Sequence, residues 1–401
     1  MRLNEYYYSA SNIYMRLNEQ YDLLLEYYHK SCHFDKVIDS IIEKIKNNPH
    51  IYKDFYSGWV WNADEIKCKS KSSATQIYEY PINVKFIYDT PELDAYVSSK
   101  DENKDEIVVN INVFYLRLFD SDVNDIIDIS NDDIYDDREV SIFMKKHKKL
   151  RGKDFEPYLR GTLQHEFLHI LHGYGFIDKD ILNNRKNNAQ HINFDDDSYI
   201  SDEMKIVIAR GGINSFCAYE NLLYCNAPTE QEACINGVAG YLNGLDIIQA
   251  KMLIHKWEKR LGPALSNEKL IYRIAYDENI LFFNKFHYYK ERLEELKDSL
   301  DNIDDIYNNE SDVMRDRYLG IIATAYRLEI TGLFHTKPVV NDEFMKKCYN
   351  RNFIRQDDTK DIIKELGWQM YSYFLKRMFE FQKSIYMQIY MFLQDRNLWK
   401  R

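Results

Sequence analysis

The chain has 401 residues, of which 45% are hydrophobic and 29% charged, and it carries a net charge of −11 at pH 7. That composition is globular. It is long enough for one large core or two to three smaller ones, and it excludes a chain-wide affinity for nucleic acid or an anionic membrane. Tyrosine is abundant, at 33 residues against 7 prolines and 14 glycines. Few breakers and many large side chains point to a helix-rich protein with thick aromatic packing. The bias towards Tyr, Ile, Asn and Lys suits an AT-rich phage or low-GC bacterial genome.

The N-terminus, Met1-Arg2-Leu3-Asn4-Glu5-Tyr6, lacks the apolar stretch of a signal peptide. No run of about 18 apolar residues is present either, so no membrane span is expected. The expected location is cytoplasmic: the host cytoplasm, or the virion if the chain is phage-encoded. The sequon at Asn309 then carries no weight. Cys32, Cys68, Cys217, Cys225, Cys234 and Cys348 form no C-x-x-C pair and read as free thiols of a reducing compartment.

Residues 12–48 read as helix, with Leu17, Tyr21, Leu24, Leu25 and Tyr28 at helical spacing. His29 and His33 stand one turn apart on it, but no acid follows His29, and they read as surface residues. Over 78–118 the period changes to two. Ile82, Val84 and Phe86 alternate with Asn83 and Lys85, and Ile107, Val109 and Ile111 alternate with Val108 and Asn110. That alternation predicts β-strands, with Pro81 suited to an edge position.

An acidic stretch follows, from Asp120 to Asp137. Its start, Asp120-x-Asp122-x-Asn124, has the look of a calcium loop. The sixth position is Asp125 instead of Gly, and the twelfth is Asn131 instead of Glu, so the EF-hand reading fails and a solvated loop remains. The basic run Lys145 to Arg151 reads as an exposed segment neutralising those acids.

From about residue 155 the pattern is almost wholly helical. The last helix is expected near 359–395, where Leu366, Met370, Phe374, Met378, Phe381, Ile385, Ile389 and Phe392 recur at steps of three and four. Lys376, Arg377 and Lys383 interrupt the stripe, so it reads as a core or partner-helix face. Three regions are expected: an N-terminal helical segment at 1–77, a catalytic domain at 78–245 and a C-terminal helical domain at 246–401.

The chemistry concentrates at His165-Glu166-Phe167-Leu168-His169. With 11 His in 401 residues, H-E-x-x-H arises by chance in roughly 2% of such chains. Here it falls on an expected helix with Pro157 in its first turn and Gly173 and Gly175 at its close. At about 100° per residue, His165, His169 and His172 share one face. Leu159, Leu163, Phe167, Ile170 and Leu171 share the other, and Glu166 sits at the rim of the histidine face. Two imidazoles one turn apart can each supply a nitrogen to one zinc ion. The metal lowers the pKa of its bound water towards about 7, and Glu166 is placed to take that water's proton as general base.

The order strand, strand, H-E-x-x-H helix resembles the zincin metallopeptidases over roughly residues 80–245. The resemblance implies an α+β, predominantly α-helical chain. Its zincin-like core would hold a small antiparallel or mixed sheet, the H-E-x-x-H helix and a glutamate helix, with helical flanks on both sides. It also implies that an edge strand, here 106–116, binds extended substrate by main-chain hydrogen bonds. The metzincin pattern needs Gly and His where this chain has His172 and Gly175, so it is absent. His172 lies about 10.5 Å along the helix axis from His165 and reads as a surface or substrate-contacting residue.

The gluzincin pattern takes a glutamate from a following helix. Thr229-Glu230-Gln231-Glu232-Ala233, after Pro228, fits it. The likeness to gluzincin-like proteins of phage and bacteria implies Glu232 as the third metal ligand, with Glu230 as the alternative. The small residues Ala233, Gly237, Ala239 and Gly240 follow on that helix. Between His169 and Glu232 lie about 60 residues, including Asn183–Asn188, His191 and Asp195–Asp197, which read as a loop or lid. Tyr219, Tyr224, Tyr241 and His255 are the candidate donors to a transition-state oxyanion. The cysteine ligand motif of the peptide deformylases, which also use H-E-x-x-H, is missing around Cys68.

The expected function is zinc-dependent peptide-bond hydrolysis as an endopeptidase. Its ligands are His165, His169 and Glu232, its base Glu166, its cofactor Zn2+ and its substrate a peptide or protein. No nucleic-acid or membrane partner is expected, and helical self-association or a larger assembly remains open. The alternative is a catalytically inactive zincin-like protein of structural or virion-associated role.

Overall fold

The computed structural model describes residues 34–47, 155–173, 201–207, 215, 218–226, 228–261, 284–304, 312–330, 332, 335–350, 353 and 356–398, and the backbone course of 60–69, 77–87, 95–99 and 107–112. Several sequence-based readings lie outside the described residues. They are the first part of the N-terminal helix with His29 and His33, the acidic stretch, the basic run at 145–151, and the insert carrying His191. The chain divides into two compact units, Met1–Phe176 and Ile177–Arg401.

In the first unit, α1 (Phe34–Asn47) buries Val37, Ile38, Ile41 and Ile42, which recur at helical spacing on one face. A backbone sheet follows, of β1 (Val60–Lys69), β2 (Ile77–Ile87), β3 (Ala95–Ser99) and β4 (Ile107–Asn112), in the order β1-β2-β4-β3. β2 runs antiparallel to β1 and parallel to β4, and β3 runs antiparallel to β4. β2 is thus interior, where a proline would ordinarily remove a ladder donor. Pairing jumps from Ala63↔Ile82 to Ile66↔Tyr80, so the proline falls at a bulge of β1 where no ladder donor is required. The expectation of an edge position for Pro81 is corrected accordingly. The H-E-x-x-H helix, α2 (Phe155–Gly173), packs against α1 and β3.

The expected α+β class with a zincin-like core is overturned. Of the residues described down to their side chains, 88% are helical and none lies in a strand or sheet. The sheet's order adds a second difference. β4, which covers the segment expected to offer an edge to substrate, has β2 on one side and β3 on the other. Its main-chain donors and acceptors are committed to both neighbours.

The second unit is built around one long helix. It comprises α3 (Asp202–Val207), α4 (Glu220–Asn226), α5 (Pro228–Gly244), α6 (Ile247–Leu261), α7 (Asn284–Asp301), α8 (Asp312–Ile330), α9 (Asp342–Cys348) and α10 (Asp357–Asp395). α4, α5, α7 and α8 all pack on α10, which is 39 residues long. Its apolar stripe is a core face. Leu366, Met370, Phe374, Phe381, Ile385, Ile389 and Phe392 are buried, and Met378 is half-buried.

Two polar joints and one close approach fix this packing. Tyr289 of α7 accepts a hydrogen bond from Asn226 Nδ2 of α4 at 2.6 Å and donates to the Phe374 carbonyl of α10 at 2.8 Å. Burial pushes the pKa of that phenol well up, so it stays a donor. Asp342, at the first turn of α9, accepts from Ser201 Oγ at 2.5 Å and Tyr326 Oη at 2.6 Å. At Gly367 the helices α7 and α10 approach so closely that a Cβ would stand 2.2 Å from Leu300 Cδ2. Among the described residues, no helix is long and apolar enough to cross a membrane.

Candidate metal centre

α2 is held on α1 by three polar pairs. Gln164 Nε2 donates to Asp35 Oδ1 at 2.6 Å, Arg160 pairs with Asp39, and Lys46 pairs with Glu156. The partners rise in number along α1 (35, 39, 46) as they fall along α2 (164, 160, 156), so the two helices run antiparallel. Asp35 and Asp39 are one turn apart, as are Arg160 and Gln164, and the matched spacing lets one face read the other. Gln164 is 2% exposed, so its amide needs that carboxylate. A buried amide left unmade costs about 1–3 kcal/mol.

The helix is buried further round than its sequence suggests. Leu159, Leu163 and Phe167 are buried as expected, but so are Thr162, Gln164, His165 and Leu168. The histidine face is therefore an interior polar face and not a solvent-facing one. His165 is 6% exposed, and His169 is half-buried. Their Nε2 atoms lie 3.1 Å apart, with the rings edge to face at 77° and 4.8 Å between centroids. Glu166 Oε1 lies 3.8 Å from His165 Nε2.

The ligand atoms of His165, His169 and Glu230 all lie within 4.8 Å of one another, and this group could hold a metal ion. Two nitrogens and a carboxylate oxygen are the donor set that suits zinc. Two ligands of a tetrahedral zinc at about 2.0–2.1 Å stand roughly 3.3 Å apart, and the 3.1 Å between the imidazole nitrogens is close to that. Glu230 is 2% exposed. It is the third residue of α5, within the first turn, where the helix dipole favours a negative charge.

Glu230, the alternative drawn from the sequence, is in the group with the two histidines, and Glu232 is not among its members. The reason is helical phase. Two residues along a helix turn the side chain by about 200°, so only one of the two acids can face the histidines. Glu232 is half-buried. A signal for Glu230 was present in the sequence: it shares its face with Ala233 and Gly237, three and seven residues on, whereas Glu232 shares its face with Ile235, Asn236 and Ala239.

His172 lies on α2, and its side chain is outside the described residues. His255 is exposed on α6. Tyr219 is buried in the helical unit and hydrogen-bonded to Ser299, and its pKa is raised by burial. Tyr224 and Tyr241 are half-buried. Among the described cysteines, Cys225, Cys234 and Cys348 form no disulfide, and burial pushes the Cys348 thiol up to about 12.

No family model matches the chain, and no curated protein or solved structure matches it.

Proposed function

We propose that this chain is a zinc-dependent hydrolase of peptide bonds, with His165, His169 and Glu230 as metal ligands and Glu166 as the general base. The observation that carries the reading is the pairing of the two Nε2 atoms at 3.1 Å beside a buried carboxylate. Bound zinc would supply an acidified water and a Lewis acid for the scissile carbonyl.

Glu166 is the residue next to a ligand, 13% exposed at its side chain and 3.8 Å from His165 Nε2. From that position it takes a proton from water and passes it to the leaving amine. The two histidines must be neutral to ligate, and the packing of α2 on α1 orients them before any metal arrives. The likeness to the gluzincins implies a glutamate of a later helix as third ligand, Glu232 before Glu230, and the grouping with the two histidines is what supports Glu230.

The test is to load the purified chain with zinc and follow cleavage of a peptide library by mass spectrometry, for the native protein and Glu166→Gln. The reading expects both to hold zinc and the variant to lose turnover by about 100-fold or more. Equal cleavage by the two removes Glu166 from its role. Bound zinc with no cleavage by either favours the inactive, structural alternative.

A further inference from the structure

The α5 helix carries a second group at its metal-facing turn. Cys234 stands one turn after Glu230, and its thiol is directed at Glu230 Oε1, 3.9 Å away. Cys234 is 7% exposed and Glu230 2%, so the contact is shielded from water. The geometry is built into the helix. Side chains tilt towards the N-terminus, so residue i+4 lies back over residue i, and the short thiol of Cys234 is carried towards the carboxylate without help from another element.

We propose that Cys234 is a positioning residue for Glu230: its thiol donates to Oε1 and sets the plane in which the carboxylate is presented to a divalent cation. The inference rests on the metal-site reading above. At position 230, in the first turn of α5, a carboxylate has a competing use. It can fold back on the backbone N–H groups that the helix start leaves unpaired. A donor four residues onward draws it along the helix, away from those groups. The thiol is a weak donor, so it holds the carboxylate without competing strongly with a metal for it. No charge is added, as a Lys or Arg there would add, and the anion stays available to a cation. Groups that orient a ligand in this way typically cost 10- to 100-fold in metal affinity when removed.

The experiment is zinc affinity by competition with a chromophoric chelator, on the full chain. It compares the native protein with Cys234→Ala, Cys234→Ser and Glu230→Gln, with circular dichroism confirming the fold of each. Cys234→Val replaces the alanine variant if that one unfolds. The expected result is a loss of about 10-fold for the alanine variant, recovery to within about threefold for the serine variant, which keeps a donor, and a larger loss for Glu230→Gln. Native affinity in the alanine variant, with Glu230→Gln weakened, overturns the role of Cys234 and leaves the metal site standing. An equal loss in the serine and alanine variants overturns it too, because packing and not donation is then at work. Native affinity in Glu230→Gln overturns the site itself.

Discussion

His165 and His169 bring their Nε2 atoms to 3.1 Å from each other, one helical turn apart on α2. With both rings neutral, only one of those two nitrogens can supply a proton to the other. With both protonated, two cations would meet in a largely buried site. A divalent cation relieves both problems. Zinc at 100 times its dissociation constant should therefore stabilise the protein by about 2.7 kcal/mol. A thermal unfolding series with and without zinc measures this, and the double variant His165→Ala/His169→Ala should show no zinc-dependent shift.

The helix that carries the pair was legible in the sequence, and its surroundings were not. H-E-x-x-H, Pro157 and Gly173 are local signals, and α2 runs from Phe155 to Gly173. Burial of Gln164 is not local: it follows from Asp35 of α1, more than 100 residues earlier in the chain. The sequence preferred Glu232 and kept Glu230 as the alternative because both acids suit a helix start, and the group at the histidines contains Glu230. The zincin-like class was inferred from the order of elements, and element order does not settle which strand lies at a sheet edge.

Removing the Asp35 partner should loosen α2 on α1. Asp35→Ala removes the acceptor that Gln164 Nε2 uses in a buried position, at a cost of about 1–3 kcal/mol. Gln164→Leu, which removes the buried polar group instead, should cost less. Denaturant unfolding of the two variants measures the order, and equal losses would argue against the hydrogen bond as the cause.

The Gly367 crossing predicts a coupled pair. Gly367→Ala drives a Cβ into Leu300, which is 1% exposed and has nowhere to turn. Overpacking of this kind costs about 1–3 kcal/mol. Leu300→Ala alone leaves a cavity costing about 2–5 kcal/mol. The double variant should lose less than the two single losses combined, because each change fills or vacates the other's space. Strict additivity in urea unfolding would show that α7 and α10 do not meet there.

Asp342 sets a pH dependence. Hydrogen bonds from Ser201 and then Tyr326, with the nearby charge of Lys346, hold its carboxyl below the ordinary value of 3.8. A lowered folded-state pKa means that the ionised form stabilises the fold. That contribution is present above the unfolded value and disappears as the pH falls through the folded one. Asp342→Asn should therefore be less stable than the native protein near neutrality, by about 1 kcal/mol once solvent screening is allowed for. The gap should close in strong acid. Paired chemical unfolding curves across the acid range measure it, and a gap that persists below the carboxylate range would place the effect elsewhere.

Zinc content decides the centre most directly. Each purified chain, exchanged into excess zinc and then desalted, is assayed by elemental mass spectrometry as the native protein, Glu230→Gln and Glu232→Gln. The expected result is one zinc per chain in the native protein and in Glu232→Gln, with a marked loss in Glu230→Gln. Zinc retained by Glu230→Gln, or absent from the native chain, would contradict the grouping of His165, His169 and Glu230 around a single ion.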